Sequence, residues 1–212
     1  MSTPHRIVFP ALYAILDPEQ TKGRSTNDVL QELLKGGVKA LQLRAKTMIP
    51  REFLQLAREA RALTRSYNCM FIVNDRVDIA VAADADGVHL GQEDLPLPAA
   101  RKLMGEKIIG ISTHNAEQAR EAEQSGADYI GFGPMFGTVT KATGYTARGL
   151  AMLREVRQTV NLPIVVIGGI TERNVNEVWQ AGADSAAIIS DILGAEHIAT
   201  KVRRIQSCYD RS

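Results

Sequence analysis

Apolar runs along the chain end, one after another, in small clusters of polar or glycine residues, and the clusters differ chemically. Leu41-Gln42-Leu43-Arg44 runs on into Ala45-Lys46, Met70 to Val73 stops at Asn74-Asp75, and Gly87 to Leu90 leads to Gly91-Gln92-Glu93-Asp94. Ile108 to Ile111 ends at Ser112-Thr113-His114, and Tyr129 to Phe132 gives way to a loop rich in Gly, Thr and Lys. Ile164 to Ile167 meets Gly168-Gly169, and Ala186 to Ile189 meets Ser190. Strands that are apolar on both faces and carry polar groups only at their carboxyl ends describe a parallel α/β sheet with its chemistry along one rim.

The pattern predicts eight strands: Leu12–Asp17, Ala40–Arg44, Met70–Asp75, Gly87–Gly91, Ile108–Thr113, Tyr129–Gly133, Pro163–Gly169 and Ser185–Ser190. Helical stretches lie between and after them, at Thr26–Lys35, Pro50–Tyr67, Val77–Ala83, Pro98–Met104, Ala116–Ser125, Gly149–Thr159, Thr171–Ala181 and Glu196–Ser207. The helix from Pro50 has proline in its first turn and then Phe53, Leu56, Ala57, Ala60 and Leu63 at helical spacing. Asn27, Asn115 and Thr171 are the expected caps. Gly126-Ala127-Asp128 and Gly182-Ala183-Asp184 precede strands six and eight, and Ala85-Asp86-Gly87 leads into strand four, as if one βα unit were used repeatedly. Eight βα units in this length predict an α/β fold of the (β/α)8 TIM-barrel type, a single domain over residues 1–212 after a short flexible lead of about eight residues. An open doubly wound sheet would carry a Gly-x-Gly-x-x-Gly turn after strand one, where Asp17-Pro18-Glu19 stands instead.

Composition narrows the function classes. A net charge of +1 on 212 residues argues against a nucleic-acid or membrane-surface partner, and no apolar run is long enough to span a bilayer. Cys69 and Cys208 fit no metal spacing and no hydrophobic leader is evident, so a cytoplasmic protein is expected. Sequence leaves a homo-oligomer open; Trp179 reads as core packing ahead of an interface.

The rim clusters carry candidate chemistry. Asp75 and Asp94 follow neighbouring strands and can converge on one hard cation, Mg2+ in phosphate chemistry, with Glu93 solvated beside them. Gln42 and Arg44 share a strand face, and a buried arginine there calls for an anion. Arg44, Lys46 and Lys141 together suit a polyanion such as pyrophosphate. The Gly137-Thr138-Val139-Thr140-Lys141 loop, the Gly168-Gly169 turn and Ile189-Ser190 offer small residues and backbone amides for a second phosphate. His114 stands at the rim as an acid/base candidate, His89 reads as a satisfied core histidine, and Asp17 has no assigned role. Two phosphate-seeking places and a metal pair suggest two phosphorylated small-molecule substrates.

The segments Gln42–Lys46, Val73–Asp75, Asp86–Asp94, Gly110–His114, Gly133–Lys141 and Ile167–Ile170 occur in the order found in thiamine phosphate synthases, and the chain resembles that family over nearly its whole length. The resemblance implies a transferase that condenses 4-amino-2-methyl-5-hydroxymethylpyrimidine pyrophosphate with 4-methyl-5-(2-hydroxyethyl)thiazole phosphate, giving thiamine monophosphate and pyrophosphate through a pyrimidine-stabilised carbocation. It implies that Gln42, Leu43, Arg44, Ala45, Lys46, Asn74, Ser112 and Lys141 hold the pyrimidine pyrophosphate, with Arg44, Lys46, Ser112 and Lys141 catalytic. It implies Mg2+ on Asp75 and Asp94, and the thiazole phosphate on Thr138, Val139, Thr140, Gly169, Ile189 and Ser190. The chain departs from the family at Gly137, where proline is common, and Ala142–Tyr145 lacks an acidic residue often found after the lysine. A thiazole tautomerase or a silent ligand-binding regulator on the same barrel is the alternative. Retention of the pyrophosphate-gripping residues favours the synthase.

Overall fold

In the computed structural model, which describes residues 7–137 and 146–209, eight parallel strands pair in chain order and close on themselves. They are β1 (Leu12–Leu16), β2 (Ala40–Leu43), β3 (Met70–Asn74), β4 (Gly87–Leu90), β5 (Ile108–Thr113), β6 (Tyr129–Phe132), β7 (Ile164–Ile167) and β8 (Ser185–Ile188). The helices are α1 (Thr26–Lys35), α2 (Pro50–Ser66), α3 (Val77–Ala82), α4 (Leu97–Met104), α5 (Ala116–Gln124), α6 (Gly149–Thr159), α7 (Val175–Gln180), α8 (Ser190–Leu193) and α9 (Ile198–Tyr209).

Alternation along each strand divides the core in two. Residues such as Leu41, Leu43, Phe71, Val73, Val88, Ile130 and Val166 face outward and pack under the helices. The helices meet them with apolar residues three and four apart, such as Phe53, Ala57 and Ala60 of α2. Each large side chain buried there contributes about 1.5–3 kcal/mol. The intervening positions, among them Tyr13, Ile15, Ala40, Ile72, Tyr129, Val165 and Ala187, fill the barrel interior. Phe9 closes the lower end, its ring centroid 4.7 Å from that of Tyr129.

The repeated acidic residue before even-numbered strands has a defined task. Asp86 accepts from the Phe71 amide (2.8 Å) and pairs with Arg61 of α2 (2.7 Å). Asp128 does the same with the Ile109 amide (2.7 Å) and Arg101 of α4 (2.6 Å), and Asp184 with the Ile164 amide (2.8 Å) and Arg157 of α6 (2.8 Å). Each carboxylate thus ties a helix to two adjacent strands at the end of the barrel away from the rim.

Several local expectations shift. Ser25, not Asn27, caps α1 by accepting from the Asp28 amide at 3.5 Å, and the Asn27 amide instead donates to Glu59 (3.0 Å). Asn115 caps α5 as expected. The helix expected from Thr171 begins at Val175, because Asn174 Oδ1 accepts from the Thr171 amide (2.8 Å) and holds a turn before it. The apolar run expected to extend β8 to Ser190 breaks after Ile188 into the separate helix α8. Trp179 is core: 7% exposed, it donates from Nε1 to the Ala11 carbonyl (3.1 Å) and meets Tyr209 edge-on. Among the described residues no helix is long and apolar enough to cross a membrane.

Candidate active site

A cavity opens at the carboxyl ends of the strands, where barrels of this type carry their chemistry. It spans roughly 1030 Å³ with its open mouth counted. Gln42, Arg44, Asn74, Ser112, Gly169, Ile189 and Ser190, drawn from the ends of β2, β3, β5, β7 and β8, all border it. Leu43 and Ala45 face outward into the helix-packed core. Thr138, Val139, Thr140 and Lys141 lie outside the described residues.

One side of the rim is charged. Asp75 follows β3 with φ +62, a left-handed conformation that aspartate tolerates better than most residues, and its amide donates to the His89 carbonyl (2.8 Å). Its carboxylate pairs with Lys46 at 2.6 Å. Asp94 closes the turn after β4 by accepting from the Gly91 amide (2.7 Å). Burial, and then the adjoining Asp75 carboxylate, raise the Asp94 carboxyl above the ordinary carboxylate range, against the opposing pull of the Gly91 amide and Lys46. A half-buried carboxylate beside a second carboxylate is a donor set that suits a divalent cation. Among the described residues no cluster of three or more His, Cys, Asp or Glu side chains is arranged for a metal, so such an ion would draw its remaining ligands from water or substrate.

Arg44 turns inward from the strand end and is paired with Asp17, whose side chain is wholly buried. Asp17 Oδ1 also accepts from the Glu19 amide (3.0 Å). The anion that sequence demanded for this arginine is therefore first supplied by the protein itself, and Asp17 acquires a role. The signal was present in the acidic residue at the end of the adjoining strand.

His89 and two tyrosines were missed as cavity residues. The strand register puts Asn74, His89, Gly110 and Tyr129 side by side across four strands. Gly110 leaves the gap over which the Tyr129 ring leans; a Cβ there would stand 2.0 Å from it. The Tyr129 hydroxyl reaches His89 Nδ1 at 2.9 Å, and His89 Nε2 lies 2.9 Å from Ser112 Oγ. Tyr13 lies 3.1 Å from the Tyr129 hydroxyl and accepts from Gln42 Nε2 at 3.1 Å. The two-residue alternation through Gly87 and His89 could have placed this histidine inward. His114 borders the same cavity, with Nδ1 2.7 Å from the Gly133 carbonyl.

The opposite side is built from backbone. Gly169 has φ +67, and a Cβ on it would lie 2.6 Å from the Gly137 carbonyl, so the close approach requires glycine. Asn174 Nδ2 donates to the Gly169 carbonyl (3.0 Å) and fixes that turn. Lys201 of α9 joins Glu172 (3.0 Å) to Asp191 (2.9 Å), tying the loop after β7 to α8. The two ion pairs outweigh burial and raise the Lys201 ammonium's pKa.

A family model described as thiamine monophosphate synthase matches residues 12–192. The thiamine-phosphate synthase of Syntrophomonas wolfei is 45% identical over 203 residues, 95% of this chain and 97% of that protein. The thiamine-phosphate synthase of Shouchella clausii is 48% identical over 188 residues, 88% and 90% of the two chains. Among solved structures, a thiamine phosphate pyrophosphorylase from Pyrococcus furiosus superposes with a TM-score of 0.87 at 37% identity, covering 95% of this chain and 96% of that one. A 3-hexulose-6-phosphate synthase matches with a TM-score of 0.68 at 17% identity, a likeness of fold alone. With its closed barrel and a match that spans every strand, this chain belongs to the thiamine monophosphate synthase family.

Proposed function

We propose that the chain, as one barrel domain, catalyses the thiamine-phosphate synthase reaction on 4-amino-2-methyl-5-hydroxymethylpyrimidine pyrophosphate and 4-methyl-5-(2-hydroxyethyl)thiazole phosphate. The carrying observation is one cavity bordered by Arg44, Asn74 and Ser112 on one side and by Gly169, Ile189 and Ser190 on the other, with the Lys46–Asp75 pair standing just beyond its lining at the ends of β2 and β3. The pyrimidine methylene C–O bond breaks and its electron pair leaves with pyrophosphate. The thiazole nitrogen lone pair then forms the new C–N bond, giving the thiazolium product without a proton transfer.

That chemistry asks for leaving-group stabilisation and orientation more than for a strong base. Arg44, Lys46 and the Ser112 hydroxyl meet the pyrophosphate oxygens, and Gln42 and Asn74 orient the pyrimidine. The family resemblance adds Lys141 to the pyrophosphate and Thr138 to Thr140 to the thiazole phosphate. Asp75 and Asp94 would hold Mg2+, which supplies charge neutralisation to the departing pyrophosphate. The buried thiol of Cys69 and a reducing, cytoplasmic setting accord with this role.

Mass spectrometry of the purified protein with both substrates and Mg2+ tests the proposal. Thiamine monophosphate and pyrophosphate in equal amounts are expected. Conversion of the thiazole phosphate alone, or no product, would overturn it in favour of the tautomerase or the silent binder.

A further inference from the structure

The cavity floor carries a chain of hydrogen bonds whose protons can be counted. Gln42 Nε2 donates to Tyr13 Oη (3.1 Å), Tyr13 Oη lies 3.1 Å from Tyr129 Oη, and Tyr129 Oη lies 2.9 Å from His89 Nδ1. His89 Nε2 then lies 2.9 Å from Ser112 Oγ. Both phenols are fully buried, and burial raises the pKa of each, so each keeps a single proton and has one bond to give. Leaving a buried donor without an acceptor costs about 1–3 kcal/mol.

With the Gln42 amide donating, Tyr13 must donate to Tyr129 and Tyr129 to His89 Nδ1. The neutral imidazole then carries its proton on Nε2 and donates to Ser112, whose own hydroxyl proton is left for the cavity. At the other end Gln42 Oε1 takes no bond from a described residue, is not among the buried atoms lacking a partner, and so faces the cavity as an acceptor. Flipping the amide reverses every bond and is equally self-consistent: Gln42 then offers a donor and Ser112 a lone pair. Mixed arrangements either strand a buried donor or set the Tyr13 and Tyr129 oxygen lone pairs against each other across 3.1 Å with no proton between them. Two glycines show that the chain is built in: a Cβ at Gly110 would stand 2.0 Å from the Tyr129 ring, and one at Gly131 2.7 Å from the His89 ring.

We infer that this chain couples the two ends of the cavity, so that an anionic oxygen accepting from Ser112 makes Gln42 an acceptor and selects a ligand that donates there. Resting on the proposed function, the donor is the pyrimidine amino group and the anionic oxygen belongs to the pyrophosphate. Tyr13, Tyr129 and His89 are then positioning residues that set specificity. An analogue with an oxo group in place of the amine asks for the reversed chain, which the pyrophosphate opposes.

The test compares kcat/KM for the aminopyrimidine pyrophosphate and its 4-oxo analogue in the wild type, Tyr13→Phe and Tyr129→Phe. Each substitution breaks the chain and frees the amide to flip, so the preference for the amine falls by on the order of 10–100-fold while KM for the thiazole phosphate stays unchanged. A preference kept within about twofold of wild type in either folded variant overturns the coupling. A second measurement needs no variant fold: 15N NMR of histidine-labelled wild-type protein with inorganic pyrophosphate and Mg2+ should show His89 as the Nε2–H tautomer. The Nδ1–H tautomer overturns the inference. If the wild type makes no thiamine monophosphate from the authentic substrates, the proposed function fails separately.

Discussion

Removing either partner of the Arg44–Asp17 pair should destabilise the protein unequally. The Asp17 side chain is 0% exposed, whereas Arg44 keeps 16% exposure along the cavity. Breaking a buried pair costs about 3–5 kcal/mol, chiefly because the remaining charge is left uncompensated. In Asp17→Ala that charge is a guanidinium that cavity water can still reach, so the cost belongs near 3 kcal/mol, including the lost cap on the Glu19 amide. In Arg44→Ala it is a carboxylate sealed from solvent, and the cost belongs near 5 kcal/mol. For a chain of this size each kcal/mol moves Tm by about 2–4 °C, which predicts losses of roughly 6–12 °C and 10–20 °C. Differential scanning fluorimetry with urea denaturation measures both. Inorganic pyrophosphate should restore Tm in Asp17→Ala more than it raises Tm in the wild type, since it replaces the missing anion. Equal losses, a reversed order, or no added pyrophosphate effect would refute the electrostatic account.

Asp75→Asn should lower turnover by roughly 10²–10³-fold, the scale of one lost electrostatic group, and weaken the Mg2+ dependence; unchanged turnover after exhaustive chelation of the wild type would count against this pair as the metal site. Asp184→Asn leaves Arg157 without its charge partner far from the rim, so it should cost about 1–3 kcal/mol in urea denaturation with both KM values unchanged. Burial pushes the Cys69 thiol up to about 12 from an ordinary 9.0, so a thiol reagent at pH 8 should label Cys208 well before Cys69. Between those values the native state holds a proton that the unfolded chain has released. Stability therefore falls as pH rises above about 9, by about 1.4 kcal/mol per unit, and Cys69→Ala should flatten that slope.

Periodicity alone determined the barrel. Apolar runs of strand length, each followed by a helical pattern, leave few topologies that bury both faces of every strand, and the rim clusters follow from that arrangement. The placement of Asp75 and Asp94 after β3 and β4, and of Arg44 and Lys46 after β2, was equally legible, because it follows from residue type and from the order of consecutive strands. Other features depended on distance across the barrel. Asp17 finds Arg44 only because β1 and β2 run side by side, and Tyr129 reaches His89 only because Gly110 between them has no side chain. The network of Tyr13, Gln42, His89 and Tyr129 follows no local pattern at all: residues up to 116 positions apart share one chain of protons. The break between Ile188 and Ser190 also escaped sequence, since Ile189 suits a strand as well as a turn and the choice falls to packing above β8. Local chemistry set which groups stand on the rim, and tertiary structure decided which of them face each other, because closure of the sheet joins positions that the linear pattern treats as independent.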